Sequence, residues 1–331
     1  MADCFVTGGT GFIGHHIVKQ LDEKQHDVTI LIRENSSLEL LEGFDYQTVV
    51  GDVTDLDSLL EGVPDDTQWL FHNAAVMADW GGKEYYFPVN VGGTENILEV
   101  IRRKGIPRLI HTSSTGVYGF PEISEAITED YEKDPANAYQ ESKLASEELI
   151  REYIADYGIG ASMIRPPVVL GEGDMFTGPQ FIERIENGNM VVFGDGSNEQ
   201  SFVHADDVAR ALVMAAENFK SAKNEAFNVT SFSCEFRELM TAIAEELGVE
   251  PSFREIPYGL AKAVGGFLGS LYRTFGRDNA PLLTSFRAKM FGSEYIIDDT
   301  KIREKLGFDP KWDMESTVQD MVKWRGFVKP R

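Results

Sequence analysis

A tyrosine and a lysine four residues apart, Tyr139 and Lys143, form a pattern in this sequence that could perform acid–base chemistry. At this spacing two side chains lie one turn apart on the same face of a helix. A free phenol titrates near ~10, so a tyrosine that exchanges protons near neutral pH needs a cation beside it to stabilise the phenolate. Lys143 would be that cation. The same spacing also occurs on solvated helices, so the pair needs support from the rest of the chain.

The start of the chain predicts a loop that binds a dinucleotide cofactor. Gly8, Gly11 and Gly14 lie between an apolar run typical of a strand and a stretch typical of a helix. Glycines at this spacing let the backbone turn tightly and bring a pyrophosphate onto the helix N-terminus, where free N–H groups and the helix dipole favour negative charge. We expect these glycines, with Phe12 and Ile13 between them, to contact the cofactor.

Short apolar runs alternate with amphipathic stretches through the first half of the chain, as in a parallel sheet covered by helices on both faces. We predict strands over residues 4–7, 28–32, 46–50, 69–72, 109–112 and 162–164, and helices over 13–21, 91–104 and 139–157. Glycine-rich connections follow, and residues 227–230 predict a strand that returns to the sheet. The expected fold is α/β, with a Rossmann-type doubly wound parallel sheet and a smaller α/β C-terminal substrate domain. The first domain would comprise residues 1–168, rejoined by 203–232, and the second 169–202 and 233–331.

The charge of the chain limits its partners. It has 331 residues, with 54 acidic and 31 basic side chains and a formal net charge of −23. This balance argues against nucleic acid or an anionic membrane as the partner. The apolar segment 260–272 is too short to span a bilayer, and we expect it to pack on the small domain, to line an apolar pocket or to touch a membrane surface. We predict no transmembrane segment.

The cysteines and histidines predict no metal site. Cys4 and Cys234 are far apart in sequence, and neither has a second cysteine or a histidine nearby at zinc-like spacing. His15 and His16 follow the glycine loop, whereas His72, His111 and His204 lie in strand-like runs, and we interpret these five as structural. The first residues are too short an apolar run for a signal peptide. We therefore expect a reduced, cytoplasmic protein.

The end of the second predicted strand bears on the choice of cofactor. Arg33 follows Ile32, at the point where an acidic residue would hold the ribose hydroxyls of NAD. A cation followed by hydroxyl side chains suits a 2′-phosphate, which favours NADP over NAD. NAD stays the alternative, because Glu34 could reach the ribose or neutralise Arg33, and Arg33 could be a plain surface residue.

With the glycine loop, the Tyr-Lys pair and their order, the chain resembles the extended short-chain dehydrogenase/reductase superfamily, also described as the NAD-dependent epimerase/dehydratase family, over nearly its whole length. The resemblance implies that Asp52 and Val53 contact the adenine. It implies that the small residues Ala74 and Ala75 let the cofactor ribose approach, and that Asn90 is the asparagine at the start of the central helix.

The resemblance also implies the remaining active-site residues. Counting back from Val117-Tyr118-Gly119 selects Ser114 as the active-site hydroxyl, with Thr115 as the second choice. Pro166 and Val168 lie in a segment similar to the one that passes the nicotinamide, although Pro167 replaces the usual glycine. Ser114 and Tyr139 would bind the reacting oxygen, and Lys143 would lower the pKa of the phenol and contact the nicotinamide ribose.

The substrate class is left between two alternatives. Many sugar-nucleotide enzymes of this superfamily carry an arginine for the substrate diphosphate where this chain has Gln200. The pattern is closer to the 3β-hydroxysteroid dehydrogenase and dihydroflavonol reductase branch, which predicts NADP(H)-dependent carbonyl–alcohol interconversion on a mostly apolar small molecule. A UDP-sugar 4-epimerase or dehydratase with tightly bound NAD is the alternative, because Arg273, Arg277 or Arg287 could hold a phosphate. The family usually forms homodimers through the helices predicted at 91–104 and 139–157.

Overall fold

The computed structural model describes residues 1–78, 80–275, 281 and 283–325, without the side chain of Arg273. The strands in this part of the chain are β1 (Asp3–Thr7), β2 (Asp27–Ile32), β3 (Gln47–Val50), β4 (Trp69–His72), β5 (Arg108–Thr112), β6 (Ala161–Arg165), β7 (Val168–Leu170), β8 (Met190–Phe193), β9 (Glu199–His204), β10 (Ala226–Asn228), β11 (Phe232–Glu235) and β12 (Phe253–Ile256).

The helices of the same residues are α1 (Phe12–Glu23), α2 (Leu56–Gly62), α3 (Lys83–Phe87), α4 (Gly93–Lys104), α5 (Ala138–Tyr157), α6 (Thr177–Glu186), α7 (Ala205–Glu217), α8 (Phe219–Ala222), α9 (Phe236–Glu246), α10 (Tyr258–Thr274), α11 (Ser285–Gly292), α12 (Thr300–Leu306) and α13 (Met314–Arg325). A π-helical turn, Pro88–Gly92, leads into α4, and 3₁₀ turns form at Glu39–Leu41 and Thr115–Tyr118. No helix in the described ranges is both long and apolar enough to cross a membrane.

The main sheet has seven parallel strands in the order β10-β6-β5-β4-β1-β2-β3. Its strands are continuously apolar because successive residues point into two different cores. Phe5, for example, packs in the layer containing α4 and α5, whereas Val6 packs in the layer containing α1 and α7. The sheet therefore lies between two helical layers, and the predicted doubly wound parallel fold is confirmed.

The rest of the chain builds two small sheets, β11-β9-β7 and β12-β8, around a separate apolar core. Phe181, Phe202 and Phe236 lie in that core with residues of α9 and α13. Between these elements the chain returns to the main sheet, where β10 pairs with β6 and places Phe227 opposite Ile164. The predicted returning strand is thus present, and α7, which precedes it, packs on α1.

Candidate active site

The parallel strands β1, β2, β4, β5 and β6 end at one edge of the sheet, and a cleft of about 510 Å³ lies there. This is where open α/β sheets bind ligands. Fourteen of the predicted site residues line it: Gly8, Gly11, Phe12, Ile13, Arg33, Asp52, Val53, Ala74, Ala75, Ser114, Tyr139, Lys143, Pro166 and Val168. Gly14 and Asn90 lie outside the lining.

The glycine loop forms a cradle that side chains would fill. Gly8 has φ +70°, and a Cβ there would lie 2.8 Å from the Ala74 nitrogen. A Cβ on Gly14 would lie 1.9 Å from the Gly8 oxygen, so Gly14 allows α1 to pack against the loop. Helix α1 begins without a side-chain cap and without an acidic residue in its first turn. The first N–H groups and the helix dipole are therefore available to an anionic group such as a pyrophosphate.

The far end of the cleft has the residues expected for an adenosine moiety. Arg33 is exposed there, and its backbone N–H donates to Ser36 Oγ at 2.9 Å. The Asp52 carboxylate accepts hydrogen bonds from the N–H and hydroxyl of Thr54, at 2.9 and 2.8 Å. Ser36 also lines this end of the cleft. A guanidinium and a hydroxyl beside each other are suitable partners for a phosphate.

Asn90 positions the cleft without lining it. Its side chain is 2% exposed, and its Oδ1 accepts from Val76 N at 2.8 Å while its Nδ2 donates to Val76 O at 3.0 Å. Nδ2 also donates to Ser142 Oγ at 2.9 Å. Asn90 therefore ties the segment that carries Ala74 and Ala75 to helix α5.

Ser114, Tyr139 and Lys143 meet where β5 ends and α5 begins. Asn137 caps α5 by accepting from Gln140 N at 2.9 Å, which places Tyr139 in the first turn and Lys143 in the next. The Tyr139 phenol hydrogen-bonds to the Ser114 hydroxyl. Ser114 Oγ in turn accepts from Gly116 N at 3.0 Å. The buried Lys143 ammonium donates to the carbonyl oxygen of Thr112, the last residue of β5, at 2.9 Å.

Burial sets the protonation of this pair. It raises the pKa of Tyr139 to about 12, against the hydrogen bond with Ser114, which lowers it. Burial lowers the pKa of Lys143 to about 8, and the nearby charge of Glu147 opposes that shift. The phenol is therefore protonated at neutral pH, which suits it to donate a proton. In this structure the burial of Tyr139 outweighs any stabilisation of the phenolate that we expected from Lys143.

Glu147 is a part of the site that the sequence reasoning missed. It is fully buried and accepts two hydrogen bonds from Arg165, at 2.7 and 2.6 Å, and one from Ser113 Oγ at 2.6 Å. Against its burial, these hydrogen bonds and the charge of Arg165 hold the pKa of Glu147 below its usual range. Its spacing of four residues from Lys143 was the available signal. Glu147 thus connects α5 with the ends of β5 and β6.

Part of the cleft lining is apolar. It includes a methionine and several aromatic side chains from the second half of the chain and the loop after β5 that the sequence did not single out: Phe120, Phe176, Phe286, Met290 and Tyr295. Phe120 packs edge-on against Phe286 and Tyr295, with ring centroids 5.3 and 5.1 Å apart. Among the described residues that line the cleft, Arg33 and Lys143 are the two cations. Since Arg33 lies at the end expected for the adenosine, Lys143 is the one cation that the rest of the described lining offers.

Neither Gln200 nor Arg287, one of the arginines proposed for a substrate phosphate, belongs to the described lining of the cleft. Gln200 is 2% exposed, and its amide donates to the carbonyls of Met290 and Ser293, at 2.8 and 3.3 Å. It therefore holds the end of α11. Arg287 donates to the carbonyl of Pro281 at 3.3 Å and is absent from the described lining of the cleft. Arg277 and the side chain of Arg273 lie outside the described residues.

Fold and site together define a dinucleotide-dependent enzyme with a doubly wound sheet. The model of the NAD dependent epimerase/dehydratase family matches residues 4–230, and the chain belongs to this family. It is an enzyme of the extended short-chain dehydrogenase/reductase type, as the resemblance predicted.

Relatives of both expected kinds occur. The chain is 31% identical to a provisionally named UDP-glucose 4-epimerase of Methanocaldococcus jannaschii, covering 96% of this chain and 97% of that protein. It is 26% identical to 3beta-hydroxysteroid-dehydrogenase/decarboxylase isoform 1 of Arabidopsis thaliana, covering 96% and 78%. The structure is similar to that of DesIV, a dTDP-glucose 4,6-dehydratase from Streptomyces venezuelae solved with NAD bound, with a TM-score of 0.79, 24% identity and 99% of each chain covered.

Proposed function

We propose that this protein is an NADP(H)-dependent oxidoreductase that interconverts a carbonyl and an alcohol on a mostly apolar substrate. The observation that carries the proposal is the apolar part of the cleft lining, where aromatic side chains share one cleft with Ser114 and Tyr139. A sugar diphosphate bound there would need cations to balance its charge, and the described lining offers Lys143 alone. An apolar ketone or alcohol needs hydrogen bonds at one oxygen only.

The cofactor would occupy the rest of the cleft. The pyrophosphate would lie on the first turn of α1 over Gly8, Gly11 and Gly14, with Phe12 and Ile13 beside it. The adenosine would lie between Arg33 and the Asp52–Val53 turn, and a 2′-phosphate would meet Arg33 and Ser36. Ala74 and Ala75 would contact a ribose, and Pro166 and Val168 the nicotinamide. Asn90 would contribute to cofactor binding indirectly, by holding the segment that carries Ala74 and Ala75 in place.

The bound cofactor would supply or accept the hydride. Ser114 and Tyr139 would donate hydrogen bonds to the carbonyl oxygen, which gains negative charge as the hydride arrives. Tyr139 would then give its proton to that oxygen, and in the reverse direction take it back. The Lys143 ammonium would hold the nicotinamide ribose and stabilise the resulting phenolate. Its hydrogen bond to Thr112 O fixes it one turn from the phenol.

We extend the proposal to the organisation of the protein. Residues 1–168 with 203–232 would bind the cofactor, and residues 169–202 with 233–331 would bind the substrate. Cys4 and Cys234 are both buried free thiols, which fits action in the reducing cytoplasm. A homodimer through α4 and α5 would leave the cleft of each copy open.

A UDP-sugar 4-epimerase or dehydratase is the second candidate function. The 31% identity to the Methanocaldococcus jannaschii protein favours it. Such an enzyme would keep NAD bound and return it unchanged after each turnover.

The two functions differ in what the purified protein carries and consumes. Mass spectrometry of the small molecules released on denaturation, followed by assays with NADPH and apolar ketones, tests both. We expect no tightly held NAD, oxidation of NADPH in step with alcohol formation, and loss of that turnover in Tyr139→Phe. Tightly bound NAD together with a UDP-sugar would contradict the reductase proposal.

The cofactor preference is tested at Arg33. Arg33→Ala should weaken NADPH binding about tenfold or more, since a hydrogen bond to a charged group contributes about 1.5–3 kcal/mol, and should leave NADH binding unchanged. Glu34→Ala is the matched control and should strengthen or preserve NADPH binding. An unchanged ratio of NADPH to NADH affinity in Arg33→Ala would show that Arg33 does not read the 2′-phosphate. Fluorescence titration of both cofactors gives the affinities.

A further inference from the structure

The outer face of α10 is apolar although it is exposed. Leu260, Val264, Phe267 and Leu271 follow one another at helical spacing and form a single stripe, with exposed fractions of 56, 39, 68 and 39%. Phe275, just after the helix, is 70% exposed. A helix on a protein surface normally turns such a stripe toward the core. Exposed apolar residues are normally scattered singly over a protein surface, so a contiguous row of them is a candidate contact surface.

The opposite face of α10 already makes the contacts that the fold requires. Ala261 is fully buried, and a Cβ on Gly265 would lie 2.5 Å from the Thr284 carbonyl carbon, so the two helices α10 and α11 pack backbone to backbone there. Helix α11 in turn contributes Phe286 and Met290 to the cleft. The outer stripe can therefore be changed without removing the contact that holds α10.

The charge of α10 is opposite to that of the whole chain. Its charged residues are Lys262 and Arg273, both basic, in a protein with a net charge of −23. Lys262 pairs with Glu122, and α10 itself contains no acidic residue. Because the Debye length is about 8 Å at physiological ionic strength, the charges close to α10 govern its encounter with a surface more than the net charge of the whole chain does. The argument from net charge against an anionic membrane therefore does not extend to this face.

The size of the stripe favours a bilayer over a second copy of the chain. Residues 260–275 extend about 22 Å along the helix at 1.5 Å per residue. A strip of that length and about 10 Å width covers roughly 220 Å², whereas a stable protein interface buries about 800 Å² on each partner. A helix that has Phe and Leu on one exposed face, and basic but no acidic residues in its sequence, is instead compatible with a segment that lies in the interface of a membrane.

We propose that α10 docks this protein on the surface of a lipid bilayer, with the stripe from Leu260 to Phe275 at the boundary between headgroups and acyl chains. The docking does not depend on the activity. Its value for an apolar substrate does rest on the proposed function, since α11 would then pass the substrate from the bilayer to the cleft through Phe286 and Met290.

Vesicle flotation with the full-length protein tests the docking. We expect the protein to float with phosphatidylcholine vesicles, and more of it when phosphatidylglycerol is included. The double variant Phe267→Ser/Leu271→Ser should reduce the bound fraction about tenfold or more, since each buried side chain contributes about 1.5–3 kcal/mol. Val50→Ser, which removes a 58% exposed side chain elsewhere, is the matched control and should bind like the wild type.

A second measurement keeps the proposal testable if the double variant folds poorly. In Phe267→Trp, the added fluorescence should shift to the blue with either vesicle. Absence of flotation and of this shift would overturn the docking, and so would a stripe variant that changes only the oligomeric state, because the stripe would then join two copies. Flotation requires no turnover, so failure to float would contradict the docking and leave the reductase proposal unaffected. Absence of turnover with intact flotation would contradict the reductase proposal and leave the docking unaffected.

Discussion

At the scale of single residues, burial governs the protonation of Tyr139 and Lys143. Lys143 is 4% exposed, and Tyr139 lies above it in the first turn of α5. Burial raises the pKa of the phenol to about 12 and lowers the pKa of the ammonium to about 8. A protonated phenol therefore lies next to a buried positive charge that destabilises the folded protein. Such a site is assembled at the expense of stability.

Lys143→Met should stabilise the protein while it abolishes activity. A folded-state pKa of about 8 lies below the ordinary lysine value, so the buried charge costs stability below pH 8, and this cost is relieved as pH rises from 8 toward 10.5. We expect the free energy of unfolding to increase by on the order of 1–3 kcal/mol at pH 7, and the difference to shrink above pH 8.

Chemical denaturation at several pH values measures this effect. Lys220→Met, at an exposed lysine, is the matched control and should show no such pH window. A destabilised Lys143→Met at pH 7 would show that the hydrogen bond to Thr112 O outweighs the cost of burying the charge.

Glu147→Gln should alter the pH dependence of turnover. The negative charge of Glu147 raises the pKa of Lys143, so its removal should lower that pKa further below 8. The decline of activity on the alkaline side should then begin at lower pH in the variant, with a reduced maximal rate. The pH profile of kcat in the direction of reduction is the measurement.

Glu147→Asp separates charge from geometry. It keeps the negative charge but shortens the reach to Arg165, so the protein should be less stable while the alkaline limb stays near its wild-type position. If Glu147→Gln leaves the pH profile unmoved, Glu147 has a purely structural role.

At the scale of elements, the cleft depends on where two helices are anchored. Helix α5 is fixed by its Asn137 cap and by Asn90, whereas α11 is held at its end by Gln200 and Asn198. The first anchor places Tyr139 and Lys143, and the second places part of the apolar wall. Under the proposed function, catalysis and substrate binding would therefore be positioned by different parts of the chain.

Gln200→Leu should raise KM for an apolar substrate severalfold and change kcat little. The substitution keeps the volume of a buried side chain but removes the hydrogen bonds to Met290 O and Ser293 O, so α11 would hold Phe286 and Met290 less firmly. The affinity for NADPH should stay the same, because Gln200 does not line the cleft. Steady-state kinetics beside a cofactor titration measures both, and exposed Gln68→Leu is the control. A change in cofactor affinity would contradict this division.

The central strands and the glycine loop are among the elements that the sequence predicted best. Short apolar runs predicted β1, β2, β4 and β5 within a residue or so. These strands lie inside a parallel sheet, and such strands appear in the sequence as nearly continuous apolar runs. The glycine spacing predicted the loop because Gly8 and Gly14 are required by close backbone contact. In these elements the residues that form the sequence pattern are the same residues that the packing of the folded protein requires.

The apolar wall and the Glu147 network could not be predicted in the same way. Phe120 and Phe286 are 166 positions apart in the sequence, and nothing in their local pattern indicates that their rings meet. Glu147 is within one turn of Lys143, but a buried carboxylate needs a partner, and that partner, Arg165, comes from strand β6. Long-range contacts between irregular segments leave no periodic signal.

At the scale of the whole molecule, the chain crosses between its two parts more than once. It leaves the main sheet after β6, builds β7 to β9 beside it, and returns with α7 and β10 before it leaves again. Most of the inward residues of α7, from Ala205 to Ala216, are buried against the sheet. The two parts of the protein are therefore joined by several crossings of the chain, although each has its own apolar core.

This return has a consequence for how the protein is made. The first 165 residues contain six of the seven strands of the main sheet, but α7, which covers one face of it, is synthesised afterwards. A nascent chain of that length would expose Phe71, Ile110 and Ile164 to solvent. Exposed apolar surface and unpaired strand edges promote aggregation, so we expect the part that contains the main sheet to finish folding only after α7 and β10 have been made. Its completion waits until Phe227 has emerged, by which time more than two thirds of the chain has been translated.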